Sequence, residues 1–575
     1  MTPAEIDKVL KTLKKEDIAG IECKHVCYSR SRYGEPTDML TIKEIIHTRD
    51  GRKFPRLRFV QDYKRPFWLV NKPYRNYKDR KEWEYVNRCM KFETTQIKLC
   101  ESIVRAQGYG NPKSSLKMLA RNQFLFGADI STPALMKAAY QKRCPDLFTP
   151  NTVAVIDSET DVVTGDGSNP ILLTITFKDK VFTTISKKWI EGIADPIPKI
   201  MDLMNKHLKD DIEARKIKAE FVISDSEADM CYQVIQKAHE WQPDFITFWN
   251  MDYDMTVIIN VLEKAQYDLA EVFSDPRVPT EFKYFNYRRG PSIKEKADGT
   301  VENLASYDRW HVVDCPASWV AIDAMCVYRQ IRRAHGKAPS YSLDYTLETN
   351  LERNKLYFPI DERGAPGSIE WHINMQRFHK LEYTVYNIFD CIGVELLDEK
   401  TKDLQTQISI LSGYSEYGIF NSNPKRTMDA LHFFCLERGK VAGCVNDKMV
   451  EDLDKELPQL DGWIVTLPTH LVVNNGLPLL EELPDVQSTV RMYVSDADIT
   501  STYPNGEIIM NLSKETTMME MGRISGLLNT DRINVGINLT GGPVNAIEIM
   551  THVMHAPRPD QLLDAFMEEL QKEVA

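Results

Sequence analysis

A chain of 575 residues exceeds what one hydrophobic core organises, so roughly two to four domains are expected. With 43% hydrophobic and 27% charged residues the composition is that of a globular protein, and no stretch is apolar enough to be expected to span a bilayer. The formal net charge of −11 excludes a uniformly basic nucleic-acid binder, although local patches can bind and acidic metal sites add negative charge.

Residues 1–17 (MTPAEIDKVLKTLKKED) are charged from the start and predict a short amphipathic helix packed on the fold, not a secretion signal. Eleven cysteines, an odd and scattered set, predict free thiols in a reducing, cytoplasmic setting. Cys23, His25 and Cys27 lie close together, but no second cluster completes a zinc site. Residues 1–150 mix strands and helices in an α+β N-terminal domain. There, cations interleave with aromatics: Tyr63, Lys64, Arg65, Phe67 and Trp68, then Lys72, Tyr74, Arg75, Tyr77, Lys78, Arg80, Lys81 and Trp83. The pattern suits a phosphate backbone with stacked bases, and suits equally a solvated face with snorkelling side chains. Lys64, Arg65, Trp68 and Arg75 are the candidate DNA contacts.

From Asn151 strands alternate with helices, which implies an α/β domain over 151–400. VAVIDSETDVV, ILLTITF and DFITFWN read as strands, and 379–398 as a helix. A helical stretch over roughly 400–440 is assigned to a return of the N-terminal domain (401–450). DGWIVTLP, TVRMYVSDADI and INVGINL read as strands of a further domain, 451–575. Its tail carries Leu562, Leu563, Phe566, Met567 and Leu570 on one helical stripe, with Asp560 as N-cap.

In the first of these strands Asp157 and Glu159 are two residues apart, so they share one face. Two adjacent carboxylates repel, and divalent cations between them relieve the cost. An Asp-x-Glu alone is unspecific. Asn250 and Asp254 follow a buried strand, where α/β sheets carry functional loops. Tyr386 and Asp390, four apart, share a helix face. Each piece has a plain structural alternative: Asp254 as a helix cap, Tyr386 as core, Asp390 as surface. Together, Asp-x-Glu, Asn-(x)3-Asp and Tyr-(x)3-Asp in that order resemble the proofreading exonuclease of family B DNA polymerases.

The resemblance spans roughly residues 150–520. Ser340-Tyr341-Ser342-Leu343-Asp344 is similar to a segment between the second and third exonuclease motifs. Pro424 to Ala430 (PKRTMDA) is similar to a segment of the replicative polymerases of large tailed phages. Asp323 matches an acidic position of that subgroup and is taken as structural. The resemblance implies a ribonuclease-H-like 3′→5′ exonuclease domain with two Mg²⁺ or Mn²⁺ ions, which activate water and stabilise charge at phosphorus and at the leaving 3′ oxygen. It implies that Asp157, Glu159, Asp254 and Asp390 hold the metals, that Tyr386 orients the attacking water, and that Asn250 and Tyr253 meet the DNA strand.

Asp498-Ile499-Thr500-Ser501-Thr502-Tyr503-Pro504 resembles the first polymerase motif of the same family, with Thr502 where Leu is usual. By that resemblance Asp498 and the Ile499 carbonyl bind a metal, and Ser501, Thr502 and Tyr503 meet the incoming nucleotide. A Lys-rich fingers helix and a second catalytic Asp are not found downstream, and Asp531 reads as a turn residue. One carboxylate cannot build a two-metal transfer site. The expectation is a partial α+β palm, completed by a second chain that supplies fingers, the rest of the palm and thumb. The alternatives are a stand-alone single-strand exonuclease derived from a polymerase, and a non-catalytic DNA-binding scaffold. Primer-template DNA, single-stranded 3′ ends and a sliding clamp are the expected partners, and a phage-infected bacterial cytoplasm the expected setting. Arg288, Arg289, Lys294 and Lys296, around an Asp298-Gly299 turn, read as a hairpin that helps to part primer from template, or as an exposed solvated loop.

Overall fold

The computed structural model describes residues 3–444, apart from short stretches at 35, 78–80, 109–113, 165–166, 296–299 and 359–366, together with 536–539 and 542–545. The chain divides into two compact units, Met1–Leu457 and Pro458–Ala575. In the second, Gly536–Leu539 pairs antiparallel with Gly542–Asn545. The expected strands at 461–468 and 489–499, the turn at Asp531, the tail helix, and Asp498, Ile499, Ser501, Thr502 and Tyr503 lie outside the described residues.

The α/β part of the first unit is built on a six-stranded mixed sheet. Its strands, in chain order, are β1 (Val153–Thr160), β2 (Pro170–Phe177), β3 (Lys180–Ser186), β4 (Lys218–Ser224), β5 (Phe245–Phe248) and β6 (Val320–Asp323). The spatial order is β4-β3-β2-β1-β5-β6. β1, β2 and β3 form an antiparallel meander, and β4, β5 and β6 add in parallel. Such strands are covered on both faces, which is why PILLTITF is buried at every position. One face packs Ala154, Ile156, Leu173 and Ile175 against the helices α1 (Glu227–Trp241) and α2 (Met251–Lys264). The other packs Val153, Val155 and Leu172 with Tyr386, Phe389 and Ile392 of a long helix, Lys380–Thr401. Strand alternation therefore turns Asp157 and Glu159 toward that long helix.

Before the sheet, Ile18–Arg30, Asp38–Thr48 and Lys53–Gln61 form a three-stranded antiparallel sheet. Its middle strand is buried throughout although it carries Lys43 and Glu44. A buried charge needs a partner. Lys43 Nζ donates to the Gln242 and Ser318 carbonyls at 2.9 and 3.0 Å, stitching this sheet onto the α/β part. Glu44 accepts from Arg56 Nε at 2.7 Å and from the Tyr140 hydroxyl. A second small sheet joins Arg65–Val70 to Cys89–Thr94 and Leu125–Phe126. The chain returns here after the α/β part: the helix Asn423–Glu437 leads into Lys440–Ala442, which pairs with Trp83–Tyr85. All eleven cysteines are free. Among the described residues, no helix is long and apolar enough to cross a membrane.

Candidate metal centre

The helix α3 (Ala324–Ile331) follows β6, and two later helices, α4 (Ile369–Phe378) and α5 (Lys380–Thr401), complete the site. Asp157 and Glu159 come from β1, and Asp390 from α5. One carboxylate oxygen from each lies within 4.8 Å of the others. Each acid is anchored through one oxygen. Asn387 Nδ2 donates to Asp157 Oδ2 at 2.7 Å. The Tyr383 hydroxyl donates to Glu159 Oε2. Lys355 Nζ lies 2.5 Å from Asp390 Oδ2 and donates to the Tyr386 hydroxyl at 2.7 Å. Asp390 Oδ1 is buried with no hydrogen-bond partner.

The electrostatics follow from burial. Desolvation, and then the charges of Asp254, Asp390 and Glu159, push the Asp157 carboxyl well above the usual carboxylate range, with Lys355 opposing. Burial, with Asp390 adding, takes Glu159 up to about 8 against the Tyr383 hydrogen bond. Burial takes Asp254 up to about 7, although Ser158 donates to it. Asp390 is raised by burial, with the Lys355 ammonium pulling the other way. Acids in such surroundings hold their protons more tightly than free carboxyls, and a positive charge would relieve the repulsion on ionisation; the set offers hard oxygen donors, and one buried carboxyl oxygen has no partner. The residues present therefore fit Mg²⁺ or Mn²⁺.

The chain gives no match to any protein-family model or curated protein.

Asp254 sits on the first turn of α2 and is not one of the three converging acids. Its Oδ1 accepts from the Ser158 backbone N–H at 3.0 Å and from the Ser158 hydroxyl at 2.6 Å. It is not the helix cap either, because Asn250 occupies that position. Asn250 is exposed, and Tyr253 is half-exposed with its hydroxyl against that of Thr160. Both thus lie at the surface, and Tyr253 is close enough to feel the charges of Glu159, Asp254 and Asp157. Tyr386 is buried beneath Lys355, its ring stacked on Tyr383 at 5.6 Å. Asp323 accepts from Met251 N–H at 2.9 Å and Cys326 N–H at 2.8 Å, tying the starts of α2 and α3 together, a structural task.

Two of the four N-terminal candidates are corrected. Arg65 is 1% exposed, and its guanidinium donates to Gln96 Oε1 and to the carbonyls of Ile130, Gly127 and Ala128. Trp68 is 4% exposed and lies against Gly127 and His432. Gly127 has a φ of +65°, and a Cβ there would come within 2.7 Å of the indole. Both residues are on a strand buried nearly throughout, so neither reaches nucleic acid. Arg75 donates to the Val70 carbonyl and is partly buried, while Lys64 remains exposed. The basic hairpin is present as Ile293–Glu295 paired with Val301–Asn303, with Lys296 and its turn outside the described residues. Arg288 bonds Asp314, and Arg289 pairs with Asp252.

Sequence reasoning missed Lys355, Tyr383 and Asn387. The two helical ones carried a signal: Tyr383, Asn387 and Asp390 repeat at steps of four and three, one face of a helix. Lys355 lies in an irregular segment with no periodicity to place it.

Proposed function

We propose that this chain is a divalent-metal-dependent 3′→5′ DNA exonuclease, the proofreading part of a family B type DNA polymerase. The observation that carries it is the convergence of Asp157, Glu159 and Asp390, drawn from motifs separated by more than two hundred residues of sequence, around one buried orphaned oxygen. The antiparallel meander followed by parallel strands, with the first acid pair on the central strand, supports a ribonuclease-H-like reading of the sheet. Asp157, Glu159 and Asp390 would hold Mg²⁺ or Mn²⁺, with Asp254 adjoining. Such ions supply Lewis-acid activation of water and neutralise charge at the scissile phosphate.

The protein's own groups then have defined work. Asn387 and Tyr383 fix the rotamers of Asp157 and Glu159. The Tyr383 hydroxyl has one proton, and Glu159 takes it, so His372, 2.7 Å away, presents its Nδ1–H to the same oxygen. Lys355 balances charge. The Tyr386 hydroxyl orients the attacking water, and Asn250 and Tyr253 line the approach of the strand end. Replacing Asp157 and Glu159 together by Ala abolishes Mg²⁺- or Mn²⁺-dependent digestion of a 3′-labelled single strand. Undiminished digestion by the folded variant refutes the assignment. The polymerase half of the proposal rests on the motif around Asp498 and Tyr503, with a fingers helix and a second catalytic Asp supplied from outside these 575 residues. Its test is primer extension by these 575 residues with and without such elements added, and robust extension without them overturns it.

A further inference from the structure

The basic and aromatic stretch does have an exposed face, and it is not the one its first residues suggest. In the strand Trp83–Tyr85 the side chains alternate. Glu84 points inward, 1% exposed, where it accepts from Tyr77 and from Lys81 and lies 3.6 Å from Arg88. Trp83 and Tyr85 point outward, 37% and 40% exposed, edge to face with their centroids 5.3 Å apart. Tyr74 adds a third ring, 46% exposed. Two cations bracket the rings. The Arg88 guanidinium lies over Tyr74 at 5.4 Å and over Tyr85 at 5.0 Å. Lys440, directly across from Tyr85 on the returning strand, lies over Trp83 at 3.7 Å and Tyr85 at 5.7 Å.

We infer that this face is a binding surface for single-stranded nucleic acid, with bases stacking on Trp83, Tyr85 and Tyr74 and with Arg88 and Lys440 taking phosphates. Single strands are bound in this way, by aromatic platforms set among cations, because every base offers a π face and every linkage a charge. Duplex DNA hides its base faces and cannot use the rings. The buried Glu84 contributes by holding Arg88 and Lys81 at the edge of the platform, so the cations are in place before the strand arrives. This surface shares no residue with the acid centre, and the inference does not rest on the exonuclease reading.

The test is fluorescence anisotropy of labelled dT16, U16 and a 16-base-pair duplex with the full chain in EDTA, where digestion does not occur. The double variant Trp83→Ala/Tyr85→Ala is expected to bind dT16 at least tenfold more weakly, whereas Trp83→Phe/Tyr85→Phe, which keeps the rings, stays within about threefold of the parent. Lys440→Gln should flatten the dependence of log affinity on log salt by about 0.7. Tighter binding of dT16 or of U16 assigns DNA or RNA as the source of the strand. Equal affinity of the Ala and Phe double variants for dT16, with unchanged melting temperatures, overturns the inference, as does a preference for the duplex. Because EDTA removes catalysis from the measurement, an inactive metal centre leaves this result unaffected, and the two readings fail separately.

Discussion

Lys355 gives the most exposed test of the acid centre. Its ammonium is the cation in direct contact with the carboxylates, 2.5 Å from Asp390, on a side chain only 17% exposed. Changing Lys355 to Met keeps the stem and removes the charge. Breaking a buried pair from one side costs about 3–5 kcal/mol. Asp390 can escape part of that by taking a proton. At pH 7, about three units above its ordinary value of 3.8, protonation costs about 4 kcal/mol, which caps the loss. A unit of 457 residues unfolds with an entropy of about 1 kcal/mol/K, so the melting temperature should fall by about 3–4 °C in EDTA near neutral pH. The pH dependence has a definite sign. Folded-state values raised above the unfolded ones, as for Glu159 at about 8 and Asp254 at about 7, mean stability present at acid pH and lost as pH climbs through 7–8. Without Lys355 these groups rise further, so the gap between variant and parent should be small at pH 5 and widest near pH 8. Excess Mn²⁺ supplies the missing charge and should close it. Calorimetry with EDTA and with Mn²⁺ at the two pH values is the assay. A gap that is the same at pH 5 and pH 8, or that Mn²⁺ leaves untouched, refutes the charge-balance argument.

Tyr383→Phe removes the donor to Glu159 and leaves His372 and Gln376 facing a hydrocarbon edge, at a cost of about 1–3 kcal/mol. If Tyr383 orients Glu159, the variant also needs several-fold more Mn²⁺ for half-maximal digestion, read by titration at fixed substrate. Arg65→Met should cost about 3 kcal/mol by stranding three carbonyls, while the salt dependence of single-strand binding stays as in the parent; a flattened slope would restore Arg65 as a phosphate contact. His432 is held neutral by burial, down to about 4, with both ring nitrogens unpartnered. Its depressed value makes a contribution present above pH 6.5 and lost as pH falls toward 4. His432→Leu should therefore resist acid better, by up to about 3 kcal/mol at pH 4, in urea melts run at pH 4.5 and 7.5.

Much of the centre is local in sequence. Asp157 and Glu159 are read from strand alternation, and Tyr386 and Asp390 from helical spacing; both patterns are local and hold although β1 and α5 are buried on more than one face. What escaped is what depends on chain segments meeting. Lys355 enters from an irregular stretch, and no local rule aims it at Asp390. Lys440 reaches Trp83 only because the chain returns after more than three hundred residues to pair with the strand Trp83–Tyr85. The error at Arg65 and Trp68 has the same origin. Read alone, RPFWLV alternates a cation with rings like a binding strip. In the fold it is flanked by strands on both edges and roofed by the helices Leu99–Gln107 and Asn423–Glu437, which turns the cation into a clamp for carbonyls.

The anchoring of the acids bears on what the centre is for. Asp157 and Glu159 are held by neutral donors, an amide and a phenol, which fix position without cancelling charge. Elsewhere in this chain buried carboxylates are paired with a cation, as Glu44 with Arg56 and Glu395 with Arg215, or cap a helix start through backbone N–H groups, as Asp323 does. Here three converging acids share one ammonium, and Asp390 keeps a bare oxygen. Burial makes ionising the cluster costly, so its carboxyls hold their protons to higher pH, and a small divalent cation would offset that cost on ionisation. On the proposed reading, the oxygen donors that make ionisation costly in the metal-free protein would favour a hard divalent cation, at the point where β1 and α5 bring distant motifs together.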